Sequence, residues 1–209
     1  MIGIVIVSHS EKLAEGVREL AEQPPAPVPA TIQVKPQVKE EKVKVEVQPV
    51  VTTVIQGKNY LVFGEDSHVA YDWFNDIVKQ GAAGLCMSTT FPEKVYAEHK
   101  VSKDVKILWL SDTSKESTSL NPKRLNFEIF RTINRFFSEN PKAVFLLDGL
   151  ENLVVENGFD TVDKFLKKIS DLASLYNATL LIPLNPKSFS SEETSRIRKK
   201  FDRVETIAI

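Results

Sequence analysis

Short apolar runs alternate with helix-like stripes over residues 58–209. The apolar runs are the lengths of buried strands and are spaced as in an α/β domain. We predict strands at residues 60–63, 84–87, 107–110, 143–147, 180–182 and 204–209. Because helical stripes lie between these runs, consecutive strands are expected to be parallel and joined by right-handed crossovers. The pattern therefore predicts a three-layer α/β sandwich with a mostly parallel sheet.

The stripes between the strands carry recognisable helix starts. Trp73, Phe74 and Ile77 recur at helical spacing after the first strand. Thr90, followed by proline and glutamate, predicts a capping box with Pro92 in the first turn. Three further starts are expected at Asn121, Asp160 and Ser190, each followed by an apolar stripe or a capping glutamate.

The remainder of the chain differs in composition. Residues 1–59 contain none of the 18 aromatic residues, so the core is expected in the later part. Residues 1–23 predict a strand followed by a helix, too short to bury a core alone. Residues 24–57 hold six of the eleven prolines and predict a linker with an extended polyproline stretch. The predicted organisation is a strand–helix segment (1–23), a linker (24–57) and one domain (58–209).

Charge and cysteine content narrow the class of protein. The 27 basic and 28 acidic residues give a formal net charge of −1, so we expect neither nucleic acid nor a membrane as the partner. A single cysteine, Cys86, cannot form an intrachain disulfide. No apolar run approaches the roughly 18 residues of a membrane span. We therefore expect a cytoplasmic protein.

The order of the predicted elements resembles a RecA-like nucleotide-binding core. In such cores the first strand leads into a phosphate-binding loop, G-x-x-x-x-G-K-[ST], and a later apolar strand ends in an acid. Here that acid is Asp148, after the strand at 143–147, whereas the turn after Phe63 reads Gly64, Glu65, Asp66, Ser67. This turn contains no lysine and brings two acids to the phosphate position. We therefore predict a RecA-like fold that lacks a phosphate loop and takes no nucleotide cofactor.

Most of residues 58–209 resembles the archaeal family called domain of unknown function family 835. The segments that carry the resemblance are GLC at 84–86, FP at 91–92, ILWLS at 107–111, LLDGLE at 146–151, NGF at 157–159 and PLNP at 183–186. That family in turn resembles KaiC- and RadA-type ATPases but lacks their phosphate loop. The resemblance implies a RecA-like module retained for binding or regulation, with no established activity.

Residues 1–22 are similar to the start of a different family, the mannose-type EIIA phosphotransferase subunit of dihydroxyacetone kinase. The similar positions include Met1 to Ser10, and the histidine of the Ser-His-Ser turn is His9. In that family this histidine accepts a phosphoryl group, which a helix N-terminus can stabilise. The similarity implies phosphoenolpyruvate-dependent phosphotransfer through His9. The rest of an EIIA domain is replaced here by the linker.

Three residues of the C-terminal domain, Asp148, Glu151 and His68, each allow two interpretations. Asp148 either binds magnesium, as in nucleotide-binding cores, or caps the turn that follows it. Glu151 either activates water or is a solvated loop acid. His68 either replaces the missing lysine or stays neutral at its ordinary pKa, and His99 is expected at the surface.

The sequence thus predicts two functions from different classes. The first is a non-catalytic or regulatory module that binds a partner protein through a degenerate RecA-like core, with Asp148 and Glu151 as the remnant of a cofactor site. The alternative is an enzyme, a phosphoenolpyruvate-glycerone phosphotransferase that uses His9. No metal site is predicted, and the sequence specifies no oligomeric state.

Overall fold

Residues 54–113 and 117–206 are described by the computed structural model, and in them the predicted alternation of strands and helices is present. The strands are β1 (Asn59–Phe63), β2 (Gly84–Ser88), β3 (Lys106–Leu110), β4 (Ser119–Leu120), β5 (Val144–Asp148), β6 (Thr179–Leu184) and β7 (Arg203–Thr206). The α-helices are α1 (His68–Lys79), α2 (Pro92–His99), α3 (Phe130–Glu139), α4 (Leu150–Asn157), α5 (Phe159–Leu175) and α6 (Ser191–Arg198).

The described strands form one seven-stranded sheet in the order β4-β3-β2-β5-β6-β1-β7. Every pairing in it is parallel. Central strands β5 and β6 are buried almost completely, because helices cover both faces of a parallel sheet and leave no solvent side. The predicted fold class, a three-layer α/β sandwich with a parallel sheet, is confirmed.

Two apolar clusters, one on each face of the sheet, make the core. One cluster joins α1 and α2 to the sheet through Phe74, Ile77 and Val95. The other joins α3, α4, α5 and α6 through residues such as Ile133, Phe165 and Ile197. Burying each such side chain stabilises the fold by about 1.5–3 kcal/mol before entropy is counted. Because every strand pairing is parallel, the carboxyl ends of the described strands lie at the same edge of the sandwich.

Local details confirm some predicted helix starts and correct others. The Asn121 side chain accepts from the Lys123 amide at 2.9 Å, but it caps a 3-10 turn and a short π-helical segment that lead into α3. Ser190 forms the predicted capping box with Glu193. The box predicted at Thr90 is wrong: α2 has Phe91 as its N-cap, and the Thr90 amide donates to the Ser88 hydroxyl instead.

Two short elements, α4 and β4, have no counterpart in the sequence prediction. Helix α4 follows β5 after a single residue, Gly149, whose φ of +124° and contact with Thr89 leave no room for a side chain. A Cβ at this glycine would lie 2.6 Å from the Thr89 methyl carbon. The chain therefore leaves Asp148 and turns at once into a helix.

The predicted segment at 1–23, the linker up to residue 53 and the end of the last predicted strand (207–209) lie outside the described residues. The final linker residues contact the sheet, since the Gly57 amide donates to the Thr179 hydroxyl at 3.0 Å. In the described part, no helix has the length and apolar character needed to cross a membrane.

Candidate functional site

Asp148 lies at the carboxyl edge of the sheet, where three elements bring polar side chains together. It is the last residue of β5 and is paired in register with Ser88, the last residue of β2. Ser67 lies immediately before α1, and Tyr71 is one turn into that helix. The topology therefore gathers side chains that are separated by up to 81 residues along the chain. We call Ser67, Tyr71, Ser88 and Asp148 the Asp148 cluster.

Three hydroxyl groups point at one oxygen of the Asp148 carboxylate. The Tyr71 hydroxyl donates to Oδ2 at 3.0 Å, and the Ser67 and Ser88 hydroxyls make longer contacts with it, at 3.4 Å each. Tyr71 and Ser88 are fully buried, while Asp148 is partly buried. Among the described residues no lysine, arginine or histidine lies within 4.0 Å of this carboxylate as an ion pair. The hydrogen-bond donors to Asp148 in the described part of the chain are therefore neutral hydroxyl groups.

Burial dominates the protonation behaviour of the cluster. Removal from water raises the pKa of Asp148, and the hydrogen bond from Tyr71 opposes that rise only in part. Burial likewise raises the pKa of Tyr71 and of Cys86, whose sulfur lies 3.7 Å from the Tyr71 hydroxyl oxygen. The phenol and the thiol are therefore neutral at physiological pH, and Cys86 is no nucleophile.

His99 covers the outer side of the cluster. Its ring stacks on Tyr71 with centroids 3.7 Å apart and planes at 7°. Burial, followed by the neighbouring His68, lowers the pKa of His99, so its imidazole is neutral at pH 7. The surface position predicted for His99 is wrong: the side chain is half-buried, and its Nδ1 has no hydrogen-bond partner in the described part of the chain.

The turn between β1 and α1 spans only residues 64–67, against the eight positions of a phosphate loop. Its groups are engaged within the protein: the Gly64 amide donates to the Leu184 carbonyl at 3.2 Å, and Glu65 is bound by Lys187. Asp66 accepts from the His68 amide at 3.0 Å and lies 3.2 Å from the His68 ring nitrogen. Lys187 thus moderates the negative charge of Glu65, and Asp66 accepts a hydrogen bond at the start of α1.

We tested the nucleotide and magnesium that a RecA-like fold implies against these residues. No lysine stands in the β1–α1 turn, the Gly64 amide is already used, and the Ser67 hydroxyl points at Asp148. Asp148 in turn accepts from three protein hydroxyls. In the described residues no group of three or more His, Cys, Asp and Glu side chains is arranged to hold a metal ion. These residues do not fit a magnesium–triphosphate group.

Glu151 is held apart from Asp148. It lies in the first turn of α4, and its Oε1 accepts from the amide of Asn185, just after β6, at 3.2 Å. The carboxylate is partly buried and anchors α4 to the neighbouring strand, so the solvated-acid reading is wrong. The capping reading of Asp148 is also wrong, because its side chain reaches back to α1 and not forward to α4. A cofactor role for either acid stays a prediction.

Two predicted site residues remain, His68 and His9. His68 is exposed and pairs with Asp66, so it does not reach Asp148. His9 lies outside the described residues, and phosphotransfer through it stays a prediction based on resemblance. Tyr71, the strongest donor to Asp148, was missed by the sequence reasoning. Its position four residues after Ser67, on the same helical face, was the available signal.

Comparison with known proteins gives the family. The family described as "Protein of unknown function (DUF835)" matches residues 63–201, well over half of the chain. The chain belongs to this family. No curated protein matches the sequence.

Solved structures give the fold. A KaiC-like protein from the hyperthermophilic archaeon Pyrococcus horikoshii OT3 superposes with a TM-score of 0.54 at 11% identity, over 74% of this chain and 74% of that one. A second protein of the same organism, determined in a structural study project, gives a TM-score of 0.54 at 10% identity, over 74% and 84%. The family member described here therefore has a RecA-like α/β fold. The expected likeness to dihydroxyacetone kinase is not among these similarities.

Proposed function

We propose that the domain at 58–209 is a non-catalytic, regulatory module that binds a partner protein at the carboxyl edge of its sheet. One observation carries this proposal. The acid that would serve a nucleotide-bound metal in an active RecA-like core, Asp148, accepts from the hydroxyls of Tyr71, Ser67 and Ser88. Three hydroxyl groups of the protein are thus already hydrogen-bonded to this acid.

A second feature supports recognition of a protein. Phe91 and Trp109 form an edge-to-face pair, with centroids 5.3 Å apart, beside the end of β2. The indole nitrogen donates to the Thr89 carbonyl at 3.0 Å, which fixes the orientation of the ring. Phe91 is 42% exposed despite its size. Fixed, partly exposed aromatic residues are typical of the residues that dominate protein–protein binding energies.

Isothermal titration of the full chain with MgATP tests the proposal, together with a measurement of phosphate release. We expect no binding heat with micromolar affinity and no release above the protein-free rate. The matched variants are Asp148→Ala and Asp66→Ala, which remove one acid each from the same edge of the sheet.

The comparison of these variants decides the outcome. Micromolar binding by the unmodified chain that is abolished in Asp148→Ala and retained in Asp66→Ala would show a working nucleotide site, and the proposal would be wrong. Phosphate release that depends on Asp148 would have the same consequence. Unchanged, heat-free titrations in all three proteins agree with a module that does not use nucleotide.

A further inference from the structure

A second surface feature of the domain is a groove between α6 and the connection that follows β6. It has a volume of about 550 Å³. Its lining consists of hydroxyl, cationic and ring side chains and, among the described residues, no acid. We call it the α6 groove, and its defining residues are Phe189, Ser191, Thr194, Ser195, Arg198 and Lys199.

The polar residues of the α6 groove form one helical stripe. Ser191, Thr194, Ser195 and Arg198 are three or four positions apart and therefore share a face of α6. The opposite face is used by the fold, where Ile197 is fully buried and Arg196 binds Asp160 and Asp163. Ile197 and Arg196 thus attach α6 to the domain from the face opposite the stripe.

The cations of this region fall into two pairs. Arg196 and Lys200 are both bound to Asp163, which is only 13% exposed. Arg198 and Lys199, in contrast, have no carboxylate within 4.0 Å in the part of the chain that the structure describes. The Arg198 guanidinium lies over the Phe63 ring, 5.7 Å from its centroid, so it is oriented above the end of β1.

We propose that the α6 groove binds a short acidic segment of a partner protein. Carboxylates of such a segment accept from the forked Arg198 guanidinium, from Lys199 and from the serine and threonine hydroxyls of the stripe. The inference rests on the proposed function, since it specifies the chemistry of the partner. It concerns residues that play no part in the Asp148 cluster.

The distribution of charge favours an acidic peptide over nucleic acid. A nucleic acid duplex carries one charge per about 1.7 Å of its axis and needs a long cationic track. Here the two unpaired cations lie at the end of α6, and Glu192 and Glu193 lie in its first turn. A peptide with a few carboxylates matches this short cationic stretch, whereas a long polyanion would meet the two acids.

Fluorescence anisotropy with the full chain tests the proposal. The probes are a labelled hexaglutamate peptide and its hexaglutamine counterpart, measured at physiological salt. Arg198→Gln/Lys199→Gln removes the unpaired cations. Lys79→Gln/Lys94→Gln is the matched control, since it removes the same net charge from two exposed lysines elsewhere. Thermal unfolding of both variants shows that they are folded.

We expect hexaglutamate to bind and hexaglutamine not to bind. The groove variant should bind about tenfold more weakly, because each lost charge contact at an exposed site accounts for up to about fivefold. The control should change by less than about twofold. Absence of hexaglutamate binding up to millimolar concentration, or an equal loss in both variants, would overturn the proposal.

Two further arms separate the possible causes of failure. A labelled oligothymidylate that binds more tightly than hexaglutamate and loses affinity in the groove variant would assign the groove to nucleic acid and contradict the peptide. MgATP binding that depends on Asp148 would overturn the proposed function but leave the hexaglutamate result intact. Failure of either proposal can thus be recognised separately.

Discussion

The connections that follow β1 and β6 begin side by side, but they differ in charge. Phe63 and Leu184, the last residues of these strands, are paired in register. The β1–α1 turn is acidic and engaged in contacts with the protein, through the Gly64 amide and the Glu65 carboxylate. The β6–α6 connection leads to a groove with two cations that have no acidic partner among the described residues.

The difference shows that a RecA-like sheet fixes the position of the connections at its carboxyl edge but does not determine which ligand they bind. Parallel strands bring their carboxyl ends together whatever the sequence of the connections. The charge, length and hydrogen bonding of each connection then decide what that part of the edge can hold. In this chain the groups of the β1–α1 turn are engaged with the protein, whereas the connection that follows the neighbouring strand β6 leads to two cations without an acidic partner among the described residues. The predictions below test that contrast.

The largest effect is expected from Tyr71→Phe in the Asp148 cluster. The variant removes the closest donor to a partly buried carboxylate, and an unsatisfied group of this kind costs about 1–3 kcal/mol of unfolding free energy. Urea unfolding at pH 7 measures the loss. Tyr96→Phe is the control, because that phenol donates to the Val105 carbonyl at 2.7 Å, a neutral acceptor. A loss no larger than in the control would mean that the hydrogen bond to Asp148 stabilises the fold no more than a hydrogen bond to a neutral acceptor does.

A smaller effect, opposite in sign, is expected from Asp148→Asn at neutral pH. Burial raises the pKa of Asp148 in the folded protein above its unfolded value. The stability that this carboxyl contributes is therefore complete below its ordinary pKa and is lost as pH rises through the folded value. The amide keeps an acceptor for Tyr71 without the buried charge. We expect the variant to gain stability over the unmodified protein as pH rises from 4 to 8.

Asp163→Asn should have the opposite effect on the free energy of unfolding when it is measured over the same range, pH 4 to 8. Burial opposes ionisation there as well, but hydrogen bonds from Lys200 and Arg196 lower the pKa of Asp163 overall. Its stabilising contribution is present above the ordinary carboxyl pKa and is lost as pH falls through the folded value. Replacement should therefore destabilise the protein at neutral pH. If both variants showed the same pH trend, the contrast between an uncompensated and a paired acid would be wrong.

The fold was predictable because its signals are local. The apolar run at 143–147 and the stripes around it fix a buried parallel strand, and they place Asp148 at its carboxyl end. Helix α4 was not predictable in this way, because it follows the strand after Gly149 alone. The positive φ of this glycine leaves no signal in the spacing of apolar residues. Sequence position also gave no sign that Asn185 would bind Glu151 from 34 residues away.

The partners of the candidate site were harder to predict than its location. Tyr71 belongs by spacing to a helix whose apolar stripe explains its burial without reference to Asp148. Its hydrogen bond depends on the angle at which α1 packs over β2 and β5, which only the tertiary structure defines. Similarly, Arg196 and Lys200 bind Asp163, whereas Arg198 and Lys199 have no carboxylate within 4.0 Å among the described residues. A count of basic residues cannot distinguish the two pairs.

The smallest predicted effect lies at the boundary between the two connections. Glu65 binds Lys187, whose neighbours Pro186 and Phe189 line the α6 groove. Both side chains are well exposed, so Glu65→Gln should change the unfolding free energy by less than about 1 kcal/mol. It should also release Lys187 as a third cation beside the groove. We expect hexaglutamate affinity to rise about twofold to threefold in the anisotropy measurement.

Asp66→Asn distinguishes a released lysine from a general change in charge. It removes the same charge from the same turn, but its acid pairs with His68 and not with Lys187. Because Asp66 binds no lysine among the described residues, its replacement frees no cation beside the groove. Affinity should therefore rise in Glu65→Gln alone. An equal rise in both variants would mean that the acidic turn acts on the groove through its net charge, and the two connections would then form one electrostatic site.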